Sequence, residues 1–319
     1  MSYNEKLWVE KYRPQVLDDC VLSSGVREIF ENIIAKGEIP HMLLSAPQGC
    51  GKTASSQVLC RLLDCDVLFI NASDENGIDV LRTKIKGFAS SVSLDNKKKI
   101  VFLDEADYMN AQSMQPALRG VMEEFSDNCR FILTCNFKNR IIAPIHSRCM
   151  GIDLRVPTTE RTEVAKGIMK RLTYILQSEG VTNIEPKALV NLIVSHSQGG
   201  SFDIRRMINE LQRNVRPDGT MGWDKIATSS ETNITGLVGH LKKKSFTDTR
   251  KWVSTHCDGD PTAVFSNLLN HLEKVMKADS LAQAYVIVAE YADKATRVAD
   301  QQVNTTAAMA ELMSSCKFE

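Results

Sequence analysis

The chain has 319 residues, room for two or three domains, and an apolar fraction ordinary for a globular protein. Lys plus Arg and Asp plus Glu balance at 39 each, so any nucleic-acid contact must come from a local arrangement of basic side chains rather than from bulk charge. No apolar run approaches the ~20 residues of a membrane span, the N-terminus is polar, and nine cysteines occur without a Cys-x-x-Cys pair; these features argue against a membrane protein, a secretory leader and a disulfide or zinc framework, and the expectation is a cytoplasmic chain with reduced thiols.

The segment Leu7-Trp8-Val9-Glu10-Lys11-Tyr12-Arg13-Pro14 puts aromatic and basic residues ahead of the first expected regular element, and Pro14 presses Arg13 toward an extended backbone. Such an arm can lie across a flat base or pack on the core through Trp8 and Tyr12. Residues 25–35 read as a helix with Val26, Ile29, Phe30 and Ile33 on one face. Met42-Leu43-Leu44 has the look of a buried strand; after the loop 46–53 the spacing of Val58, Leu59, Leu62 and Leu63 suits a helix. A strand, a loop carrying Gly49 and Gly51, and a helix make a Walker A site: backbone N–H groups turn inward around phosphate, Lys52 reaches the terminal phosphates, and Thr53 offers a hydroxyl to Mg²⁺. Ala46 stands where the motif has its first glycine, which costs little if its φ is negative.

Residues 66–70 form a second expected strand, running into Asn71-Ala72-Ser73-Asp74-Glu75-Asn76-Gly77, with a helix from Ile78 that carries Arg82 and Lys86. Phe88, Val92 and Leu94 then sit in a stretch otherwise built for solvent, as an interaction patch or as residues buried under a neighbouring loop. The strand 99–103 ends in Asp104-Glu105-Ala106-Asp107, a Walker B pattern in which Asp104 meets the metal and Glu105 orients or deprotonates the attacking water; Asp107 reads as the cap of the next helix or as part of the same constellation. In that helix Met114, Ala117, Leu118, Val121, Met122 and Phe125 should pack inward, leaving Gln112, Gln115 and Arg119 along a polar stripe, either solvated or facing a partner. Pro116 must lie in its first turn or kink it. The strand 131–136 ends in Asn136, an amide suited to hold the water or the γ-phosphate. Arg148, in Ser147-Arg148-Cys149, serves a neighbour's site or makes a surface ion pair. Beyond Val156-Pro157 the strands stop: 158–179 and 185–196 are amphipathic, and a further helix has Ile204, Met207, Ile208 and Leu211 on one face with Arg205 on its flank and Arg206 pointing away. From about Thr232 onward only helical apolar patterns remain, including Val264, Leu268, Leu272, Val275 and Met276, then Leu281, Tyr285, Val288 and Ala292.

The phosphate loop, the 10–14 arm, the 71–77 string, Thr134-Cys135-Asn136 and Ser147-Arg148-Cys149 together resemble, in order over roughly residues 7–215, the boxes of the clamp-loader ATPases: the small subunits of replication factor C and the large clamp-loader subunit of T-even-type bacteriophages, within the AAA+ superfamily. The resemblance implies an α/β RecA-like P-loop AAA+ domain over 1–156, a helical lid over 157–230 and an all-α collar over 231–319. It implies ATP and Mg²⁺ as ligands, with the phosphates on Gln48, Gly49, Cys50, Gly51, Lys52, Thr53 and Ala54, and adenine near Tyr12, Arg13 and Pro14. Gly199-Gly200-Ser201-Phe202-Asp203-Ile204-Arg205 is similar to the Gly-Asp-x-Arg sensor 2 motif with Ser201-Phe202 inserted, which makes Arg205 the γ-phosphate contact from the lid. Asn71 would restrain Glu105 until DNA binds, and Arg148 would act in trans as an arginine finger. The sliding clamp would meet Phe88, Val92 and Leu94, and primer–template DNA would meet Arg82, Lys86, Gln115 and Arg119. The collar would join copies of this chain and one different subunit into a ring of five. A structural, non-hydrolysing ring subunit, another AAA+ motor such as one for branch migration, and a helicase are the alternatives; the last needs a second strand-rich half that the residues after Val156 lack.

Overall fold

The computed structural model describes residues 7–74, 77, 79, 81–91, 97–223, 226, 231–256, 261–273, 275–295 and 297–318. The apolar runs become one parallel five-stranded sheet: β1 (Met42–Ser45), β2 (Asp66–Asn71), β3 (Lys99–Asp104), β4 (Cys129–Cys135) and β5 (Met150–Asp153), in the order β2-β3-β4-β1-β5. Parallel strands are covered on both faces, and the central runs are accordingly apolar throughout. Alternate residues feed two cores. Leu43, Val101, Leu103, Phe131 and Leu133 pack with Met114, Leu118 and Met122 of the helix Met114–Glu124; Met42, Leu44, Ile100, Phe102 and Ile132 pack with Phe30 and Leu59 on the other side. The edge strand β2 differs, leaving Val67 and Phe69 exposed. Register aligns the strand ends that matter: Asn71 lies opposite Asp104, and Ser45 opposite Cys135.

Helices follow the expected patterns closely. The first expected one spans Ser24–Lys36 and stops at Gly37, whose φ of 67° is the left-handed conformation that suits glycine after a helix. Pro116 falls in the first turn of Met114–Glu124, where its missing N–H is no loss. The N-terminal arm is not irregular: Trp8–Lys11 is a short helix, and Trp8 joins the core of the helices Arg161–Ser178, Pro186–Ser195 and Ile204–Asn214, among Ile168, Leu172, Leu192 and Leu211. The inserted Ser201-Phe202 interrupts the all-helical expectation as β7 (Ser201–Phe202), antiparallel to β6 (Ser197–Gln198).

The chain divides into two compact units, Met1–Ile226 and Ala227–Glu319. The first holds the sheet and the helices that follow it. The second comprises, among the described residues, the helices Glu231–Lys242, Phe246–His256, Pro261–Leu272, Ala278–Ala295 and Gln301–Ser315 around Leu237, Val253, Phe265, Leu268 and Leu312, with Tyr285, Val286 and Val303 exposed. Among the described residues no helix is long and apolar enough to cross a membrane.

Candidate active site

A cavity of about 690 Å³ opens at the C-terminal ends of β1, β3 and β4, where loops of a parallel sheet gather ligand-binding groups. Its lining brings together Tyr12, Arg13, Pro14, Gln48, Gly49, Cys50, Gly51, Lys52, Thr53, Ala54, Asn71, Asp104, Glu105, Asn136 and Arg205. Gly49 (φ 74°) and Gly51 (φ 81°) both take left-handed backbone, and the helix Lys52–Leu62 starts at once, so its free N–H groups face the cavity mouth. Ala46 is not among the residues with positive φ, and its buried methyl replaces glycine without strain.

Lys52 is buried, and its Nζ donates to Ala46 O at 2.7 Å, Pro47 O at 2.9 Å and Asn136 Oδ1 at 2.8 Å. Burial pulls its pKa below the usual lysine range, opposed by nearby Asp104 and Asp107. Thr53 Oγ1 donates to Asp104 Oδ1 at 2.8 Å. The same carboxylate oxygen accepts from Thr134 Oγ1 at 2.5 Å, and Thr134 in turn accepts from the Glu105 N–H at 3.1 Å. Glu105 has φ 55° and ψ 42°, a left-handed conformation costing a non-glycine residue roughly 1–2 kcal/mol. Buried Asp107 goes beyond a helix cap: its Oδ2 accepts from the backbone N–H groups of Asn136 at 3.3 Å and Phe137 at 3.2 Å, fixing the end of β4.

A hydroxyl and a carboxylate held together beside a loop of inward N–H groups are hard oxygen donors, and they fit Mg²⁺ carried with a triphosphate. Among the described residues there is no group of three or more His, Cys, Asp or Glu that could hold a metal ion.

The helix Ile204–Asn214 closes onto the loop. Ile204 N–H donates to Gly49 O at 3.1 Å, and a Cβ on Gly49 would meet Asp203 Oδ1 at 1.8 Å, so only glycine fits there. Arg205 is exposed into the cavity, and the inserted Ser201-Phe202 lies against Cys50, whose thiol burial pushes above its ordinary range.

Two expectations are corrected, for Gln115 and for Asn71. Gln115 is no DNA contact: it is fully buried, donating through Nε2 to Met109 O and Arg140 O, both at 3.0 Å, and accepting from Ile142 N–H at 2.9 Å. Asn71 does not hold Glu105; its Oδ1 accepts from Ser73 N–H at 3.1 Å and its Nδ2 donates to Asp74 Oδ2 at 3.0 Å, which commits the amide to its own turn. Arg148, expected to serve a neighbour's site rather than this one, pairs its guanidinium with Glu123 and donates to Pro144 O at 2.7 Å on the surface. Arg119 is exposed, as a phosphate contact requires, while Lys86 pairs with Glu124 at 2.9 Å. Phe88 is half-buried against the sheet core; Val92, Leu94 and the side chain of Arg82 lie outside the described residues.

Other residues of the site carry no local sequence signal. Arg171 donates to Asp19 Oδ1 at 2.6 Å and to Tyr12 O at 3.0 Å, clamping the arm beside the cavity through partners more than 150 residues away. Thr134 was visible only as part of a box; its bonds to both acidic residues appear when β3 and β4 pair.

Residues 42–158 match the model of the ATPase family associated with various cellular activities (AAA). The chain is 39% identical over 265 residues to the replication factor C small subunit of Methanosarcina barkeri, covering 78% of this chain and 75% of that protein. It is 32% identical over 296 residues to the sliding-clamp-loader large subunit of Enterobacteria phage T4, covering 91% of each. Among solved structures, the Holliday junction branch migration motor RuvB of Thermotoga maritima superposes with a TM-score of 0.51 at 20% identity, over 73% of this chain and 80% of that one, a likeness of fold alone.

Proposed function

The chain belongs to the clamp-loader family of AAA ATPases and hydrolyses ATP as a clamp-loader subunit, and from that premise we propose how its residues divide the work of opening a sliding clamp and loading it onto primer–template DNA. Gln48 to Ala54 cradle the phosphates with backbone N–H groups, Lys52 binds the terminal phosphates, Tyr12, Arg13 and Pro14 take the adenine, and Arg205 reaches the γ-phosphate from the lid. Thr53 and Asp104 would hold Mg²⁺, which when bound would supply neutralisation of the charge that develops on the phosphates. Water attacks the γ-phosphorus as the bond to the β–γ bridging oxygen breaks, giving ADP and phosphate. Glu105 aligns the water and accepts its proton, and Asn136 fixes the water or the γ-phosphate against Lys52.

The carrying observation is that Lys52 and Asn136, and Thr53 and Asp104, are bonded in pairs within one cavity that Arg205 also lines. Arg148, outside that cavity, completes the site of an adjacent subunit in a ring of five that combines copies of this chain with one different subunit. Its pairing with Glu123 is on the surface, worth about 0–1 kcal/mol, and is exchanged for a phosphate on assembly. Arg119, with Lys86 and Arg82, tracks the DNA backbone, and Phe88, with Val92 and Leu94, meets the clamp.

ATPase activity of the assembled complex, measured alone, with primer–template, with clamp and with both, tests this reading. More than additive stimulation is expected. A Lys52→Ala complex with full DNA-stimulated ATPase would favour a structural ring subunit, and strand movement without any clamp would favour a branch-migration motor.

A further inference from the structure

Lys99 opens β3, the strand whose other end delivers Asp104 and Glu105, and it is buried to 5% exposure. Its Nζ donates to Phe88 O at 2.6 Å, Ser91 O at 2.5 Å and Ser91 Oγ at 2.5 Å, and lies 4.7 Å from the Phe88 ring centroid. All three ammonium protons are therefore spent at the end of the helix Lys86–Ser90, where unpaired carbonyls concentrate partial negative charge. No ion pair involves Lys99 among the described residues, so this buried charge is satisfied by main chain, one hydroxyl and a ring face. Methionine would fill the same volume without burying a charge. What only the ammonium supplies is a fixed link between the nucleotide strand and the helix end carrying Phe88.

We propose that Lys99 is a positioning residue that sets the Phe88 surface against β3, so that occupation of this surface by the sliding clamp is felt at Asp104 and Glu105. The inference rests on the reading of Phe88 as a clamp contact. The test uses the assembled complex with Lys99→Met, Lys99→Arg and Phe88→Ala chains, measuring ATPase with DNA alone and with DNA plus clamp, together with clamp affinity in a non-hydrolysable ATP analogue. For Lys99→Met the DNA-only rate stays within about twofold while the clamp-dependent increment falls roughly tenfold, and Lys99→Arg, which keeps donors, restores most of it. A Lys99→Met complex that keeps its clamp increment, or that loses DNA-only and clamp-dependent rates equally, overturns the inference. Should Phe88→Ala leave clamp affinity and increment intact, the assignment of the clamp surface itself fails, whatever Lys99 does.

Discussion

Lys52 Nζ and Asn136 Oδ1 share a hydrogen bond of 2.8 Å, which joins the phosphate loop to the end of the strand beside it. Asn136 thereby sets where the lysine charge sits, and Asp107 sets where Asn136 sits. Replacing Asn136 with alanine leaves Lys52 its two carbonyl acceptors, so nucleotide affinity should change by less than about fivefold while kcat falls on the order of 10²-fold, as for other fixed polar groups near developing charge. Equilibrium nucleotide binding beside steady-state ATPase separates the two effects.

Thr134→Val keeps the shape of a fully buried side chain but removes a donor to Asp104 and an acceptor for the Glu105 N–H. The left-handed turn at Glu105 then loses a support, and a drop of ten- to hundredfold in kcat is expected with near-normal ATP binding. Thr134→Ser should recover most of the rate.

Gln115→Leu should destabilise the chain by about 2–4 kcal/mol, since it orphans two carbonyls and one N–H in a buried place. Chemical denaturation of the isolated chain measures this. The loss of DNA-stimulated ATPase should track the loss of folded protein, whereas Arg119→Ala should weaken DNA binding with stability unchanged within about 0.5 kcal/mol and lower the salt dependence of binding.

Arg148→Ala should abolish ATPase at the junction it completes, by 10³-fold or more, without altering ATP binding by its own chain. Mixing Arg148→Ala and Lys52→Ala chains should restore activity in rings where an intact loop meets an intact arginine. Activity of Arg148→Ala equal to the parent complex would remove the in-trans assignment.

His41 Nδ1 accepts from Phe131 N–H at 3.1 Å, and burial with nearby Arg130 holds its pKa down to about 4. A histidine depressed in the folded state leaves the unfolded chain binding the extra proton, so stability is complete above about pH 6.5 and falls as the pH drops toward 4, by on the order of 2–3 kcal/mol. Melting curves between pH 7 and 4 should show this slope for the parent chain and a flatter one for His41→Asn.

What was legible in the sequence was local. The phosphate loop, the acidic strand end and the apolar strands declare themselves within a few residues, and the parallel sheet follows from their alternation with helices. Gln115 carries a legible signal that outweighs its polarity: it shares a helical face with Leu118 and Met122, and that face is buried beneath the segments of Met109 and of Arg140 to Ile142. Arg171 could not be found, because its meaning depends on Asp19 and Tyr12 arriving from the far end of the sequence. The pairing of Asn71 with Glu105 rests on the resemblance alone, and the competition of Ser73 and Asp74 for the Asn71 amide depends on a turn geometry that the residue string does not display.

The bond from Ile204 N–H to Gly49 O has one more implication. An amide at the start of a helix, lacking a partner of its own, is satisfied by the very loop that wraps the phosphates, at a net worth of only about 1 kcal/mol. Were the helix Ile204–Asn214 to swing away from the loop, this bond would be exchanged for hydration at little cost, and the larger cost would be uncovering Cys50 from Ser201-Phe202. The steric fit of Asp203 over Gly49 makes this latch selective for one resting pose, since any side chain at that position would hold the two segments apart.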